Sequence, residues 1–288
     1  MLGRELLENL SKSHDCVGVS RSGRLGTVVC DVSDQKQVKD LFKLHRPELV
    51  IHAAAYSDVD GCEREPKFAH ASNALSTKYL AENCGKTLTP LIYVSTDYVF
   101  DGQKSTPYVE TDPTCPVNVY GLTKLEGEYY AKGCRAPSVV VRTSWLFGAG
   151  NPNTFVNAIV ERLKKERRVP VLDEQRDSPT SVRDLAGAIK KIAGSLLENK
   201  SKDKKRTEIF HVCNRGSATR YGMTLKIKEW LGLRGVRVEK ADPSRIPNRL
   251  AIRPAYGVMS ARRYEKFFGD CLRPWEEALR DYLTRCGF

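Results

Sequence analysis

Short apolar runs rich in β-branched residues recur through the first half of the chain, at residues 16–20, 27–30, 49–55, 91–95 and 138–143, each bounded by turn residues. Runs of this length without polar alternation read as strands buried on both faces. Between them, residues 3–10, 36–44, 68–84 and 119–131 carry apolar positions at three- and four-residue spacing, the pattern of helices that cover a sheet. A turn at Pro116 precedes the last of these. Strand and helix in alternation predict an α/β fold with a doubly wound, Rossmann-like parallel sheet. The rhythm then changes. A helix over 155–167, a strand over 169–172, a helix over 181–198 and a strand over 209–213 lead into a proline-punctuated loop at 242–254, followed by helices at 260–267 and 274–285. These segments predict a smaller C-terminal lobe of residues 149–180 and 214–288, set against a sheet domain of residues 1–148 plus about 181–213.

A chain of 288 residues with 41% hydrophobic and 28% charged positions can bury a substantial core. Its net charge of +12 raises the question of nucleic acid, but the basic residues are scattered, and the one cluster, Lys200 to Arg206, reads as a polar surface loop. No nucleic-acid motif accompanies the charge, so no nucleic-acid partner is expected, and the excess suits a small substrate that bears phosphates. The nine cysteines form no Cys-x-x-Cys pair and do not alternate with histidine. They are expected to be reduced thiols in a cytoplasmic protein. No stretch reads as a leader or a membrane span, so no membrane partner is expected.

Candidate chemistry sits on the helix over 119–131. Tyr120 and Lys124 are four residues apart, so both side chains project from one face, and an ammonium beside a phenol is expected to lower the phenol pKa into a useful range. An ordinary amphipathic surface would show the same spacing. The strand over 91–95 ends in Ser95, Thr96 and Asp97, and ligands of doubly wound sheets gather at such carboxyl ends, so these residues are expected to face the same crevice. Serine and threonine at a strand end also satisfy local backbone groups, and that reading stays open.

Three ordered stretches, Ser95-Thr-Asp-Tyr-Val-Phe-Asp-Gly102, Pro116-Val-Asn-Val-Tyr-Gly-Leu-Thr-Lys124 and Arg142-Thr-Ser-Trp145, are similar to signature stretches of the dTDP-4-dehydrorhamnose reductases, which are extended short-chain dehydrogenases/reductases. The resemblance continues through Asn153-Thr-Phe155, Asp177-Ser-Pro-Thr180 and Arg253-Pro254, over nearly the whole chain. It implies an oxidoreductase of dTDP-rhamnose biosynthesis that reduces a 4-keto-6-deoxy sugar nucleotide with NADPH or NADH. By this resemblance Tyr120 is the proton donor to the sugar carbonyl, Lys124 tunes it and binds the nicotinamide ribose, and Thr96 donates a hydrogen bond to the carbonyl as charge develops there. Asp97, Ser57 and Trp145 would line the sugar, although Trp145 reads equally as a core aromatic. For the cofactor, the resemblance points to Asp31 and Val32 near the adenine, and to Ala53, Ala54 and Ala55 where small side chains admit the dinucleotide. Ser20 and Arg21 follow the second strand, where an arginine can pair with the 2′-phosphate of NADPH.

The family opens with a strand that runs into a Gly-x-x-Gly-x-x-Gly loop, whereas the sequence here starts Met1-Leu-Gly-Arg-Glu-Leu and holds only Gly3, the last of those glycines. The undamaged downstream residues favour a polypeptide that begins earlier; the other reading is a shortened form that binds dinucleotide poorly. Some members hold magnesium between subunits. Glu5 could match one ligand, but Arg183 stands where another acid would be, so no metal is expected. A homodimer is an open partner. The regulatory beta subunit of methionine adenosyltransferase also resembles the family, which leaves a non-catalytic role beside methionine adenosyltransferase as the alternative. Its counterpart of residues 142–145 lacks the tryptophan, which argues for the reductase.

Overall fold

The computed structural model describes residues 1–23, 26–151, 154–198, 207–245, 249–269 and 272–288. Asn153, the stretch from Lys200 to Arg206 and part of the 242–254 loop lie outside the described residues. In chain order the first half forms α1 (Leu2–Leu10), β1 (Val19–Ser20), β2 (Val28–Val29), α2 (Gln35–His45), β3 (Val50–His52), α3 (Val59–Arg64), α4 (Pro66–His70), α5 (Ser76–Thr87), β4 (Leu91–Thr96), α6 (Val119–Lys132) and β5 (Ser138–Thr143). The second half forms β6 (Leu146–Phe147), α7 (Phe155–Lys165), β7 (Arg168–Val171), β8 (Arg176–Asp177), β9 (Thr180–Ser181), α8 (Val182–Glu198), β10 (Thr207–His211) and β11 (Ala218–Thr219). It ends with α9 (Arg220–Trp230), β12 (Arg237–Lys240), β13 (Tyr256–Gly257), α10 (Arg262–Phe268) and α11 (Trp275–Arg285).

Strands β10, β5, β4 and β3 lie side by side in that order and run parallel, while β1 and β2 pair in a second parallel sheet. The predicted strands over 16–20 and 49–55 are shorter than expected, two and three residues long. Each has a ladder partner on one side only, and among the described residues no strand joins β1 to β3, so regular pairing stops early.

Successive residues of β4 point to opposite faces, and each face has its own helices. Ile92 and Val94, with Val139 and Val141 of β5, meet Leu2, Leu6 and Leu10 of α1 and Leu185, Ile189 and Ile192 of α8. Leu91 and Tyr93, with Val140, meet Val38 and Phe42 of α2 and Leu80 and Cys84 of α5. Each such large apolar side chain contributes about 1.5–3 kcal/mol by leaving water. Helices on both faces make the sheet doubly wound. A separate cluster holds α7, α9, α11, β7 and β12 together through Val156, Ile159, Met223, Ile227 and Leu279.

Two local features place the site. The predicted helix over 68–84 is a longer helical run from Pro66 to Thr87 that contains one π turn, Ala71–Leu75. Asn73 in that turn is buried, accepts from the Tyr56 amide at 2.8 Å and donates to Tyr56 O and Thr123 Oγ1, both at 3.1 Å. Helix α6 is started by Asn118, whose Oδ1 accepts from the Gly121 amide at 2.8 Å while its Nδ2 donates to Ile252 O at 2.7 Å. Gly121 lets this turn approach the chain just beyond β4, because a β-carbon there would collide with Tyr98 O.

Candidate active site

Strand β4 ends in a tight turn, Asp97–Val99, which Thr96 caps by accepting from the Tyr98 amide at 3.2 Å. The turn carries Tyr98 against the first turn of α6, where the half-buried Tyr120 ring stands edge-on to it with centroids 5.5 Å apart. The Tyr120 phenol lies close enough to the Thr96 side chain for that hydroxyl to favour the phenolate. The structure therefore brings Tyr120 and Thr96 together at the carboxyl end of the sheet. Ser95 is turned elsewhere: its hydroxyl donates to Glu128 Oε1 at 2.7 Å, under α6.

Lys124 is only 2% exposed. Its Nζ donates to Val94 O at 2.7 Å and lies 4.2 Å from the centroid of the Tyr93 ring. Burial lowers its pKa to about 7, against the opposing charge of Glu128. The expected effect on Tyr120 is corrected here. Burial pushes the phenol well above its ordinary range, the Thr96 hydroxyl opposes the rise and the charge of Asp97 adds to it. The four-residue spacing puts both residues on one face of the helix, but the ammonium is taken up by a carbonyl of β4. Such a phenol keeps its proton at neutral pH and releases it only to a strong base such as a developing alkoxide.

The buried lysine has a consequence for stability. A lysine with a folded pKa below its unfolded value binds fewer protons when folded, so stability is lowest below about pH 7 and rises as pH climbs toward the unfolded value near ~10.4. Lys124→Met should flatten that rise when thermal unfolding is followed between about pH 6 and about pH 10. An unchanged slope would show that Lys124 titrates normally in the fold.

Trp145 follows β5 with φ of 41°, an uncommon conformation for a bulky residue. The ring is half-buried, 5.6 Å from that of Phe155 and packed against the second core, and its carbonyl accepts from the Thr180 amide at 3.1 Å. Strain of this kind costs about 1–3 kcal/mol and clusters at functional sites. Asp97 is buried, with Oδ1 accepting from Thr96 Oγ1 at 3.0 Å and Oδ2 from Ser144 Oγ at 2.9 Å. Ser57 is exposed, next to the Asp58 cap of α3.

The residues singled out for a cofactor lie at the carboxyl ends of β1, β2 and β3 and on the first turn of α1. Gly3 is exposed, with nothing within 4 Å of where a β-carbon would be, and no side chain caps the free amides of α1. Ala54 and Ala55 are exposed beyond β3, and Ala53 packs against the α1 cluster. The Ser20 hydroxyl meets Thr27 Oγ1 at 2.6 Å and accepts from the Gly23 amide at 3.1 Å. Arg21 is exposed, its guanidinium 5.1 Å from the centroid of the Phe68 ring. Asp31 accepts from the Ser33 amide and hydroxyl at 2.9 and 2.6 Å, and Val32 packs against the α2 and α5 cluster. Free helix amides, small side chains and an accessible guanidinium are donors and clearance that suit a dinucleotide, with Gly3 alone of the family's three loop glycines in the sequence.

A group of arginines escaped the sequence reading. A cavity of about 180 Å³ is lined by Arg220, Arg249 and Arg253 together with Asp60 and Glu174. Arg253 holds Asp60 with two bonds, at 2.7 and 2.5 Å, and keeps that carboxyl well below its ordinary range, helped by the Ala251 and Leu250 amides. Arg249 pairs with Glu174. Arg253 was visible only as part of the Arg253-Pro254 motif; its clustering with Arg220 depends on tertiary structure.

A family model described as the RmlD substrate binding domain matches residues 1–287. The chain belongs to this family. It is 35% identical to the dTDP-4-dehydrorhamnose reductase of Mycolicibacterium smegmatis over 99% of this chain and 82% of that protein. The crystal structure of a dTDP-4-dehydrorhamnose reductase from Clostridium acetobutylicum superposes with a TM-score of 0.88 at 30% identity, covering 100% of this chain and 96% of that one. That of the Bacillus anthracis reductase, in complex with NADP, gives 0.85 at 29% identity, covering 99% and 95%. RmlD-family membership accords with the parallel sheet and its flanking helices.

Proposed function

We propose that this protein is an NADPH-dependent ketoreductase that acts on a 4-keto-6-deoxy sugar nucleotide of the dTDP series. The observation that carries the reading is the meeting of the Tyr120 phenol and the Thr96 hydroxyl at the end of β4, in a chain similar over its length to named dTDP-4-dehydrorhamnose reductases. The reduced nicotinamide supplies the hydride. Tyr120 gives its proton to the sugar oxygen, and Thr96 donates to that oxygen as negative charge grows on it. Lys124 anchors the turn that carries Tyr120 through Val94 O and holds the nicotinamide ribose. Gly3, Ser20, Arg21, Asp31, Val32 and Ala53 to Ala55 form the dinucleotide side, with Arg21 favouring the 2′-phosphate of NADPH. Ser57, Asp97 and Trp145 bound the sugar, and Arg220, Arg249 and Arg253 suit its diphosphate.

The labour divides along the two cores. Residues 1–148 with about 181–213 hold the dinucleotide and the reacting end of the sugar, and 149–180 with 214–288 hold the rest of the sugar nucleotide. Nothing in the site or in the relatives named above favours the regulatory-subunit alternative. The test is to mix purified protein with NADPH and a dTDP-linked 4-keto-6-deoxy sugar, following NADPH absorbance and product mass. Consumption of NADPH with gain of two hydrogens by the sugar is the expected result. An inert protein that nonetheless binds NADPH in calorimetry would overturn the assignment.

A further inference from the structure

The carboxyl group of Asp97 does not stand alone beneath Tyr120. Strand β13 passes the end of β4 at Gly257, where a β-carbon would collide with both Asp97 Oδ2 and Asp177 Oδ1. The two carboxyl groups therefore face each other across the space of one methyl group. Both are buried, at 3% and 7% exposure. Thr96 and Ser144 donate to Asp97, whereas Asp177 Oδ1 has no hydrogen-bond partner. Two carboxylates this close in a dry site cannot both ionise cheaply, and a single shared proton resolves the conflict. Burial raises both groups, Asp97 to about 6, and the charge of Asp97 raises Asp177 further. Around them, Arg220 draws Asp177 down, while Tyr98, Tyr120 and Cys213 feel the charge of Asp97.

We propose that Asp97 and Asp177 share one proton and pass it through the Thr96 hydroxyl to the Tyr120 phenolate that carbonyl reduction leaves behind. This rests on Tyr120 acting as the proton donor. When the Tyr120 O–H bond breaks and its proton joins the sugar oxygen, a phenolate remains. With the pair's single proton on Asp97 Oδ1, the 3.0 Å bond runs from Asp97 to Thr96, which leaves the Thr96 proton free; the Thr96 O–H bond then breaks toward the phenolate while the Asp97 O–H bond breaks toward Thr96 Oγ1, so phenol and hydroxyl are both restored. The pair is left as two carboxylates and regains its proton from water once product leaves. No electrons move beyond those of the hydride. The transfer runs downhill because a phenolate is a far stronger base than a carboxylate. Lys124, the other proton carrier nearby, donates to Val94 O and lies over the Tyr93 ring, and among the described residues no hydrogen bond joins it to Thr96 or Tyr120. Asp177 is thus a positioning residue that keeps the proton on the pair.

The experiment labels the aspartate side-chain carboxyl carbons with ¹³C and titrates the protein by NMR, alongside turnover with NADPH and the dTDP-linked 4-keto sugar across pH. In the wild type the Asp97 and Asp177 signals should titrate in two separated steps, one above the ordinary aspartate range. Asp177→Asn should move Asp97 to a lower pH, lower kcat at least ~10-fold at little change in KM, and abolish the fall in kcat as pH rises through the upper step. Ser144→Ala removes a donor to the Asp97 carboxylate, so it should move the upper step to higher pH and extend activity in that direction. Thermal unfolding of both variants reports folding. If the two wild-type carboxyls ionise together in the ordinary range, or if either folded variant keeps the wild-type pH profile, the relay is overturned while the reductase stands. A wild type inert toward the sugar nucleotide instead sinks the reductase reading, and the relay with it.

Discussion

Tyr120→Phe should lower kcat by about 10²–10⁴-fold while leaving the unfolding temperature and NADPH affinity close to those of the wild type. The substitution deletes one oxygen. The ring keeps its edge-on contact with Tyr98, and a hydrogen bond lost at the phenol would cost about 0.5–1.5 kcal/mol. What disappears is the proton that must reach the sugar oxygen as hydride arrives. Because the phenol is held well above its ordinary range by burial, the wild type should also lose no activity to phenol ionisation between neutral pH and the mildly alkaline range. Steady-state turnover and differential scanning fluorimetry on the same samples make the check. A well-folded phenylalanine variant that keeps more than about a tenth of wild-type turnover would remove Tyr120 from the chemistry.

The residues of the proposed site could be singled out in the sequence because they lie in short local stretches. The strand over 138–143 and the start of the helix at Val119 lie where the apolar pattern places them, and the Ser95 to Asp97 and Tyr120 to Lys124 stretches are short and ordered. What escaped depends on contacts between distant segments. Helix α9 was missed because only Met223, Thr224 and Ile227 are buried along its eleven residues, too thin a stripe to stand out among its lysines. The π turn at Asn73 is invisible to a periodicity argument, since one wider turn shifts the register without changing which residues are apolar. Lys124 faces Val94 O because its ammonium is buried against the end of β4, a choice that spacing alone cannot reveal. The approach of Asp177 to Asp97 requires β8, β13 and β4 to converge at Gly257.

Helix α6 hangs on a buried ion pair, and breaking it should have the largest effect on stability. Arg142 of β5 donates twice to Glu128 of α6, both bonds at 2.8 Å, and neither side chain reaches solvent. Ser95 of β4 completes the cluster from below, and Lys132 approaches Glu128 Oε2 at 3.7 Å from the helix itself. Arg142→Met fills the space of the guanidinium stem but strands the Glu128 charge in a dry interior, which should cost about 3–5 kcal/mol in urea unfolding. The loss comes mostly from the orphaned carboxylate rather than from the attraction removed, so adding Glu128→Leu should restore much of the stability, with a coupling energy read from the double-mutant cycle. Turnover should not recover with it. Glu128 lies two helical turns from Tyr120 and its charge also supports the protonated form of Lys124, so the apolar pair holds the helix while altering the lysine that anchors the catalytic turn. If Arg142→Met is as stable as the wild type, then Lys132 and Ser95 suffice to carry the Glu128 charge and the Arg142 bonds are dispensable to the fold.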